Sequence, residues 1–186
     1  MKKIQYLLFS TLLISSLNSL LARISIPILG SGIFFFYQTS VSAQDVFYFL
    51  DKGNKNRDNG RFMDAIYNFK KVLEYESNGK NAENAYYNIA FSYIQVGDYT
   101  NALIYSNELI KLNSYYSDAF YLRGSVFEKL KQYQNAVNDF NIALNRISPD
   151  DPFKAKIYLV LGNNKLNLGD YEDAKNDFTK AIIIEP

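Results

Sequence analysis

The chain has 186 residues, about one domain on the usual prior of roughly 100 to 200 residues, and its 20 basic and 19 acidic side chains leave a net charge of +1. This near-neutral balance argues against a nucleic-acid partner, because nucleic-acid-binding proteins normally carry a basic surface. His and Cys are both absent, which excludes thiol nucleophiles, His-based triads and zinc sites built on these residues. Carboxylate chemistry, a carboxylate-bound cation or no chemistry at all remain. Of these we expect the last, a protein that is not an enzyme and has no cofactor and no metal site.

Residues 1–43 form an apolar leader with a positively charged start. Lys2 and Lys3 are followed by one apolar run, 4–22, and a second apolar run covers 24–37. A positive start, an apolar run and small residues before a cleavage site are the parts of a secretory signal. The leader therefore predicts a signal peptide, and with it export.

The leader has two main interpretations. Val41-Ser42-Ala43 has the small-x-Ala form that signal peptidase accepts, so cleavage there would make Gln44 the first residue of a secreted or periplasm-like domain. However, the leader exceeds the roughly 15 to 30 residues of an ordinary signal peptide. The alternative is a retained membrane anchor through residues 4–37, because the run 4–22 approaches the roughly 20 residues that span a bilayer. A buried soluble helix is the third alternative.

The polar remainder, 44–186, contains an internal repeat. Four alanines, Ala65, Ala102, Ala136 and Ala174, are spaced by 37, 34 and 38 residues. Four small residues upstream keep the same spacings: Gly53, Ala90, Gly124 and Gly162. A fixed period of this length is typical of solenoids and other repeat architectures.

Within each repeat the apolar residues follow a helical period. Tyr86, Ile89, Ala90 and Tyr93 fall on one face of a helix, which indicates that each first helix buries one stripe. Strand alternation and hairpin dipeptides do not recur. The pattern therefore predicts an all-α fold of eight helices without a sheet.

These features resemble the tetratricopeptide repeat, a helix-turn-helix unit of 34 residues with characteristic small and aromatic positions. The second copy carries Ala85 to Ala90 and Gly97-Asp98-Tyr99, and the fourth carries Leu161-Gly162 and Gly169-Asp170-Tyr171. The resemblance implies an α-solenoid of about four repeats, which are approximately 46–79, 83–116, 117–150 and 155–186.

The resemblance also implies a concave groove, lined by the first helices, that binds a partner peptide. Carried onto this sequence, the groove positions give an aromatic and amide-rich surface with few charges, which suits a peptide with apolar anchors. The candidate groove residues are Leu50, Asn54, Asn84, Tyr87, Asn88, Phe91, Tyr121, Ser125, Leu159 and Asn163.

One known subtype of the family is excluded on the sequence. Members that bind the acidic tails of cytosolic chaperones use a clamp of three cations and two Asn residues. Asn54 and Asn88 fill the two Asn positions, but Leu50, Tyr121 and Ser125 stand at the cationic positions, so the charge-assisted hydrogen bonds are lost. For Asn88 we favour packing between repeats over ligand contact.

Several further residues carry two interpretations each. Asp150-Asp151 fits a turn and helix cap better than a cation site, and Arg123 fits a salt bridge within the stack better than a groove residue. In the first copy, Lys52 stands where an apolar residue is usual, and Asn56 stands where Tyr is usual. Both substitutions indicate a solvated first repeat. The inserted residues between copies one and two, and around 148–152, should lengthen a helix or a loop.

The last copy ends in Ile182-Ile183-Ile184 with no solvating helix after it, so we expect exposed apolar surface there. Either another subunit covers this uncapped repeat in a homo-oligomer, or the chain is part of a longer repeat array. Our leading hypothesis is a non-catalytic scaffold, exported or membrane-tethered, that binds a protein or peptide partner in its groove. The alternatives are a self-associating spacer and the recruiting arm of a larger assembly.

Overall fold

The computed structural model describes residues 43–185, and these contain eight α-helices and no strand. The predicted all-α architecture is thereby confirmed. The helices are α1 (Ala43–Asp58), α2 (Phe62–Tyr75), α3 (Gly79–Gln95), α4 (Tyr99–Leu112), α5 (Ser117–Lys129), α6 (Tyr133–Leu144), α7 (Phe153–Leu168) and α8 (Tyr171–Ile184). The predicted signal peptide or anchor lies outside the described residues.

The helices form four successive pairs, each a first helix, a short turn and a second helix. Each helix packs mainly against its neighbours in the sequence, so every second helix also contacts the first helix of the next pair. In addition, α1 contacts α3 and α3 contacts α5, which places the first helices side by side on one face of the array.

A glycine in the first helix lets an aromatic ring of the second helix come into direct contact with its backbone. An ideal Cβ on Gly53, Gly124 or Gly162 would lie 2.7, 2.8 or 2.6 Å from the ring of Phe69, Phe140 or Phe178, respectively. Because real Cβ atoms do not approach rings that closely, these positions accept only glycine without rearrangement. In three of the four repeats, the small residue that marks the repeat in the sequence is therefore the place where the two helices of that repeat pack together.

The second repeat has different residues at the two positions that hold glycine and phenylalanine in the other repeats. Ala90 replaces the glycine, and Ser106 stands four residues after Ala102, where the other repeats place phenylalanine. Both residues are completely buried. The stacked rings of Tyr93 and Tyr105, with centroids 5.6 Å apart, supply aromatic packing in this repeat.

The turn between first and second helices requires a residue with positive φ. Gly60, Gly97 and Gly169 adopt φ values of 71°, 79° and 89° in repeats one, two and four. Lys131 occupies the corresponding position of repeat three with a φ of 59°. A side chain with Cβ disfavours this conformation, so Lys131 carries backbone strain that its three counterparts avoid.

The inserted residues lengthen one helix and one loop, as expected. Helix α3 has 17 residues against 13 in α5, whereas the insertion after repeat three forms the connection 145–152. Asp151 accepts a hydrogen bond from the Phe153 backbone N–H at 2.9 Å, which fits the predicted turn and cap. Beyond this connection, α5 and α7 meet through the rings of Tyr121 and Phe153, whose centroids lie 4.9 Å apart.

Helix α7 also contains a buried polar atom. The Asn164 side chain on α7 is completely buried. Its Nδ2 donates to the Val160 carbonyl at 2.7 Å, but its Oδ1 has no hydrogen-bond partner within the described part of the chain. Asn68 Oδ1 in repeat one and Ser92 Oγ in repeat two likewise lack a partner among the described residues, so buried polar atoms of this kind are spread along the array.

The two ends of the array differ from each other. At the first repeat, Lys52 is exposed and donates to the Tyr48 hydroxyl at 3.4 Å, but Asn56 is buried. The expectation of a solvated Asn56 was therefore wrong, because α2 covers that side of α1. At the last repeat, Ile182 and Ile183 are 63% and 74% exposed, in agreement with the expected apolar surface.

Substituting Gly124 with alanine should destabilise the fold by about 1–3 kcal/mol, because the new Cβ would meet the Phe140 ring. Urea unfolding followed by circular dichroism measures the change. Lys129→Ala, an exposed substitution on the same helix, is the control and should shift stability by less than about 0.5 kcal/mol. Equal stability of Gly124→Ala and the parent would contradict the packing described.

Substituting Lys131 with glycine should stabilise the fold by about 0.5–1 kcal/mol, because it removes the strain of a left-handed residue with Cβ. Gly97→Ala introduces that strain into repeat two, where no atom would contact the added Cβ, and should act in the opposite direction. The same urea titrations compare the two variants. Destabilisation by Lys131→Gly would show that the turn of repeat three does not follow the pattern of the others.

Candidate functional site

The first helices α1, α3, α5 and α7 present the surface that the sequence assigned to ligand binding, and we call this surface the groove. It includes an open cleft of about 230 Å³, lined by Arg57, Tyr87, Asn88 and Phe91. The cleft thus lies where α1 and α3 meet. It combines two aromatic side chains with one cation.

An amide network fixes the polar side of the cleft. Asn88 is buried, and its Nδ2 donates to the carbonyl and the side-chain oxygen of Asn84 at 2.9 and 2.8 Å. Its Oδ1 accepts a hydrogen bond from Arg57 Nη1. Asn88 therefore uses its amide to join repeats one and two and to orient Arg57. This agrees with the packing role favoured from the sequence.

Arg57 keeps part of its hydrogen-bonding capacity. Its Nε and Nη2 donate to Asp58 Oδ1 at 3.0 and 2.9 Å. With the bond to Asn88, three of the five guanidinium N–H groups have partners within the described residues. Two N–H groups remain for a ligand.

A second aromatic group lies further along the groove. The rings of Tyr121 and Phe153 meet edge to face with centroids 4.9 Å apart. The Lys156 ammonium lies 5.4 Å from the Tyr121 ring and 5.5 Å from the Phe153 ring. Ser125, one turn along α5, donates its hydroxyl to the Tyr121 carbonyl at 2.9 Å and so is held within its own helix.

The groove tyrosines are neutral over the physiological pH range. Burial raises the pKa of Tyr121 to about 12, and the nearby Glu128 carboxylate adds to the increase. Burial likewise raises the pKa of Tyr116 to about 12, with a further contribution from Asp118. These hydroxyls therefore act as hydrogen-bond donors and acceptors and carry no charge near neutral pH.

The structure separates the candidate groove residues into three groups. Leu50 and Asn88 are buried, Leu50 in the core of the first two repeats. Leu50 therefore packs inside the fold, and Asn88 borders the cleft but is only 3% exposed. Those that are half-buried are Asn54, Tyr87, Phe91, Tyr121 and Ser125, and those that are exposed are Asn84, Leu159 and Asn163.

Two aromatic residues were missed because Tyr116 ends the second assigned repeat and Phe153 lies between the third and the fourth, so neither falls on a groove position. The Tyr116 ring lies 6.4 Å from the Tyr87 ring, and Phe153 packs on Tyr121. Both immediately precede or begin a first helix, so the end of an inter-repeat loop is the signal that could have revealed them.

Arg123 lies away from the groove residues, as favoured from the sequence. Its Nε and Nη2 bind both carboxylate oxygens of Asp139 at 2.7 and 2.8 Å, and its Nη1 donates to Asn107 at 2.8 Å. It also lines a wider cleft of about 370 Å³ with Asn135 and Asn138. Because its strongest partner is the buried Asp139, Arg123 stabilises the contact between α5 and α6.

The paired helices, the shared first-helix face and the aromatic cleft define a helical repeat protein. The tetratricopeptide repeat family model matches residues 83–116, 117–147 and 155–186, which together cover more than half of the chain. The chain therefore belongs to the tetratricopeptide repeat family. Members of this family are generally interaction modules without catalytic function.

Solved structures support the fold. MamA from Desulfovibrio magneticus RS-1 superposes with a TM-score of 0.67 at 21% identity, over 77% of this chain and 77% of that one. The first TPR domain of human RPAP3 gives 0.62 at 20% identity, over 71% of this chain and 98% of that one. YrrB, described as a TPR protein with an unusual peptide-binding site, gives 0.64 at 19% identity, over 80% and 71%.

At these identities the likeness concerns the fold alone. No curated protein matches the chain by sequence. Among the described residues, no helix is long and apolar enough to cross a membrane.

Proposed function

We propose that this protein is a non-catalytic scaffold that binds a peptide segment of a partner protein in its groove. The observation that carries the proposal is the cleft between α1 and α3. There the half-buried rings of Tyr87 and Phe91 lie beside a guanidinium that has unused donors. Aromatic surface next to a few fixed polar groups is the usual composition of a ligand site.

The remaining groove supports the same function. Tyr121 and Phe153 offer a second aromatic surface on α5 and α7, and Leu159 on α7 is 44% exposed. A peptide lying along the first helices would therefore meet apolar anchor points in several repeats, which is how repeat proteins commonly accumulate affinity. The peptide-binding site named for YrrB is a property of that protein and serves here as an analogy.

Self-association through α8 is a second candidate function. Ile182 and Ile183 are exposed on the last helix. In the preceding repeats the residues that correspond to Ile182, Leu73 and Ile110 among them, are only partly exposed and pack against core clusters. A second copy that covered Ile182 would reproduce that contact.

The groove variants Tyr87→Ala and Phe91→Ala should lose peptide binding while they keep their helix content, because both side chains line the cleft and neither is fully buried. The probe is a randomised linear peptide library displayed on phage, selected on the immobilised protein. We expect enriched peptides with the parent, and a loss of binding of roughly tenfold or more for these peptides with either variant.

Tyr171→Ala, an exposed aromatic substitution on α8, is the matched control and should leave binding unchanged. Thermal unfolding of each variant separates loss of binding from loss of fold. Selection of the same peptides by the parent and both groove variants would contradict the proposed site.

Light scattering tests the second candidate function, self-association through α8. It requires that the apparent mass of the parent rises with protein concentration and that the apparent mass of Ile182→Lys is lower.

We propose further that the protein is exported, or tethered to a membrane, through its leader. The support is the charge and hydropathy pattern of residues 1–43, with a small-x-Ala sequence immediately before Gln44. Export would place the groove on the far side of the membrane, where its partner would also be found.

Fractionation of expressing cells, followed by N-terminal sequencing, tests the location. Cleaved export predicts a chain that starts at Gln44 in the soluble fraction, whereas tethering predicts an intact leader in the membrane fraction. If the protein is exported and cleaved, Ala43→Pro should block signal peptidase and keep the leader attached. If the protein is tethered, Ala43→Pro should change neither its N-terminus nor the fraction in which it is found. An intact chain in the cytosolic fraction would refute both forms of the proposal.

A further inference from the structure

The cleft between α1 and α3 has a positively charged lining. Its four lining residues are Arg57, Tyr87, Asn88 and Phe91, and none of them is acidic. The Arg57 side chain is 29% exposed, so its guanidinium is partly removed from water but still accessible to a ligand. The cleft therefore presents a positive charge beside two aromatic rings, and no lining residue balances that charge.

Two partners hold the Arg57 guanidinium in place. Asn88 Oδ1 accepts a hydrogen bond from Nη1, and Asn88 is itself fixed by the bonds from its Nδ2 to Asn84 at 2.9 and 2.8 Å. Asp58 Oδ1 accepts from Nε and Nη2 at 3.0 and 2.9 Å. Each terminal nitrogen therefore keeps one N–H group without a partner among the described residues. Binding to a guanidinium that is already fixed costs little side-chain entropy.

The carboxylate that Arg57 already binds neutralises it only weakly. Asp58 is the next residue in the chain, is 66% exposed and uses a single oxygen for both bonds. Ion pairs at such exposed sites contribute little, because water competes for both groups. Arg123 differs, since it binds both oxygens of Asp139, whose side chain is only 4% exposed. The charge of Arg123 is thus satisfied within the fold, whereas Arg57 can still bind a ligand anion.

A carboxylate is the peptide group that fits these donors. It can accept charge-assisted hydrogen bonds from the two remaining N–H groups without displacing Asn88. The aromatic surface of the groove continues beyond the cleft at Tyr121 and Phe153. A peptide that also reaches these rings passes through the cleft and does not end there, which favours an Asp or Glu side chain over a C-terminal carboxylate.

We propose that the cleft selects an acidic residue beside an apolar residue in the partner peptide. The apolar side chain packs on Tyr87 and Phe91, and the Asp or Glu side chain accepts hydrogen bonds from Arg57. The inference rests on the peptide-binding function proposed above and adds the chemistry of the partner segment. Charge complementarity of this kind contributes to specificity by rejecting segments that lack the acidic group.

Phage selections on the parent and on Arg57→Gln test the acidic preference. Peptides selected on the parent should carry Asp or Glu beside an apolar residue. Peptides selected on Arg57→Gln should keep the apolar residue and lose the acidic one. Lys52→Gln removes the same charge from an exposed side chain of the same helix that does not line the cleft. This control should select the same peptides as the parent.

Direct titration of one selected peptide makes the test quantitative. Replacing its acidic residue with the corresponding amide should weaken binding to the parent roughly threefold to tenfold, and should have no effect on binding to Arg57→Gln. Higher salt should reduce the difference, because the groups are partly exposed. Since the peptide itself is altered, this titration does not depend on the stability of a variant.

The same peptide with an amidated C-terminus separates the two sources of a carboxylate. Amidation should leave binding to the parent unchanged. If amidation weakens binding to the parent but not to Arg57→Gln, Arg57 binds a C-terminal carboxylate, and the assignment to an Asp or Glu side chain is overturned.

The remaining outcomes distinguish this inference from the proposed function. Enriched peptides without an acidic residue, or with one that persists on Arg57→Gln, would overturn the acidic preference and leave peptide binding intact. Equal loss of the acidic residue on Lys52→Gln would overturn it as well, since the effect would not belong to the cleft. Absence of any peptide that prefers the parent over Tyr87→Ala would overturn the proposed function, and the acidic preference with it.

Discussion

The array depends on the contact between an aromatic ring of the second helix and a glycine backbone of the first helix. At Gly53, Gly124 and Gly162 the absence of Cβ allows a phenylalanine ring of the second helix to lie directly against the first helix. This contact sets how closely the two helices of a repeat approach, and hence where the first-helix side chains point. In the second repeat Ala90 and Ser106 occupy the two corresponding positions, and both are completely buried. The pair of positions that supports the groove is therefore buried in this repeat too, although its residues differ.

The fold could be predicted because its determinants are local and repeated. The small residues at 53, 90, 124 and 162 recur in step with the alanines at 65, 102, 136 and 174, and the structure places both sets in the contacts between helices. The loop at 145–152 and the longer α3 follow from the same register, since extra residues must lie where the repeat is interrupted. Asn56 shows the limit of this reasoning. A polar residue at a usually apolar position indicated solvent, yet the neighbouring helix covers it.

The candidate site was less predictable, because it depends on side-chain geometry between repeats. The family positions identified Tyr87 and Phe91 at the cleft, but they also included Leu50, whose side chain packs into the core. The bond between Arg57 and Asn88 joins residues 31 positions apart, and no pattern within one repeat indicates it. Tyr116 and Phe153 reach the groove from loop ends, where the helical period does not apply. The register of a repeat thus fixes which face a residue occupies, but it does not fix which side chains meet there.

The aromatic contact between α5 and α7 has a thermodynamic consequence for the array. In repeat proteins, stability is approximately the sum of the intrinsic stability of each unit and the coupling between neighbours. Repeats three and four are coupled through the packing of α6 on α7 and through the rings of Tyr121 and Phe153, whose centroids lie 4.9 Å apart. Because these two rings also belong to the groove, a peptide that covers them would strengthen the coupling between the two repeats. Binding in the groove and folding of the fourth repeat would then be linked, and a bound peptide would raise the stability of α7 and α8.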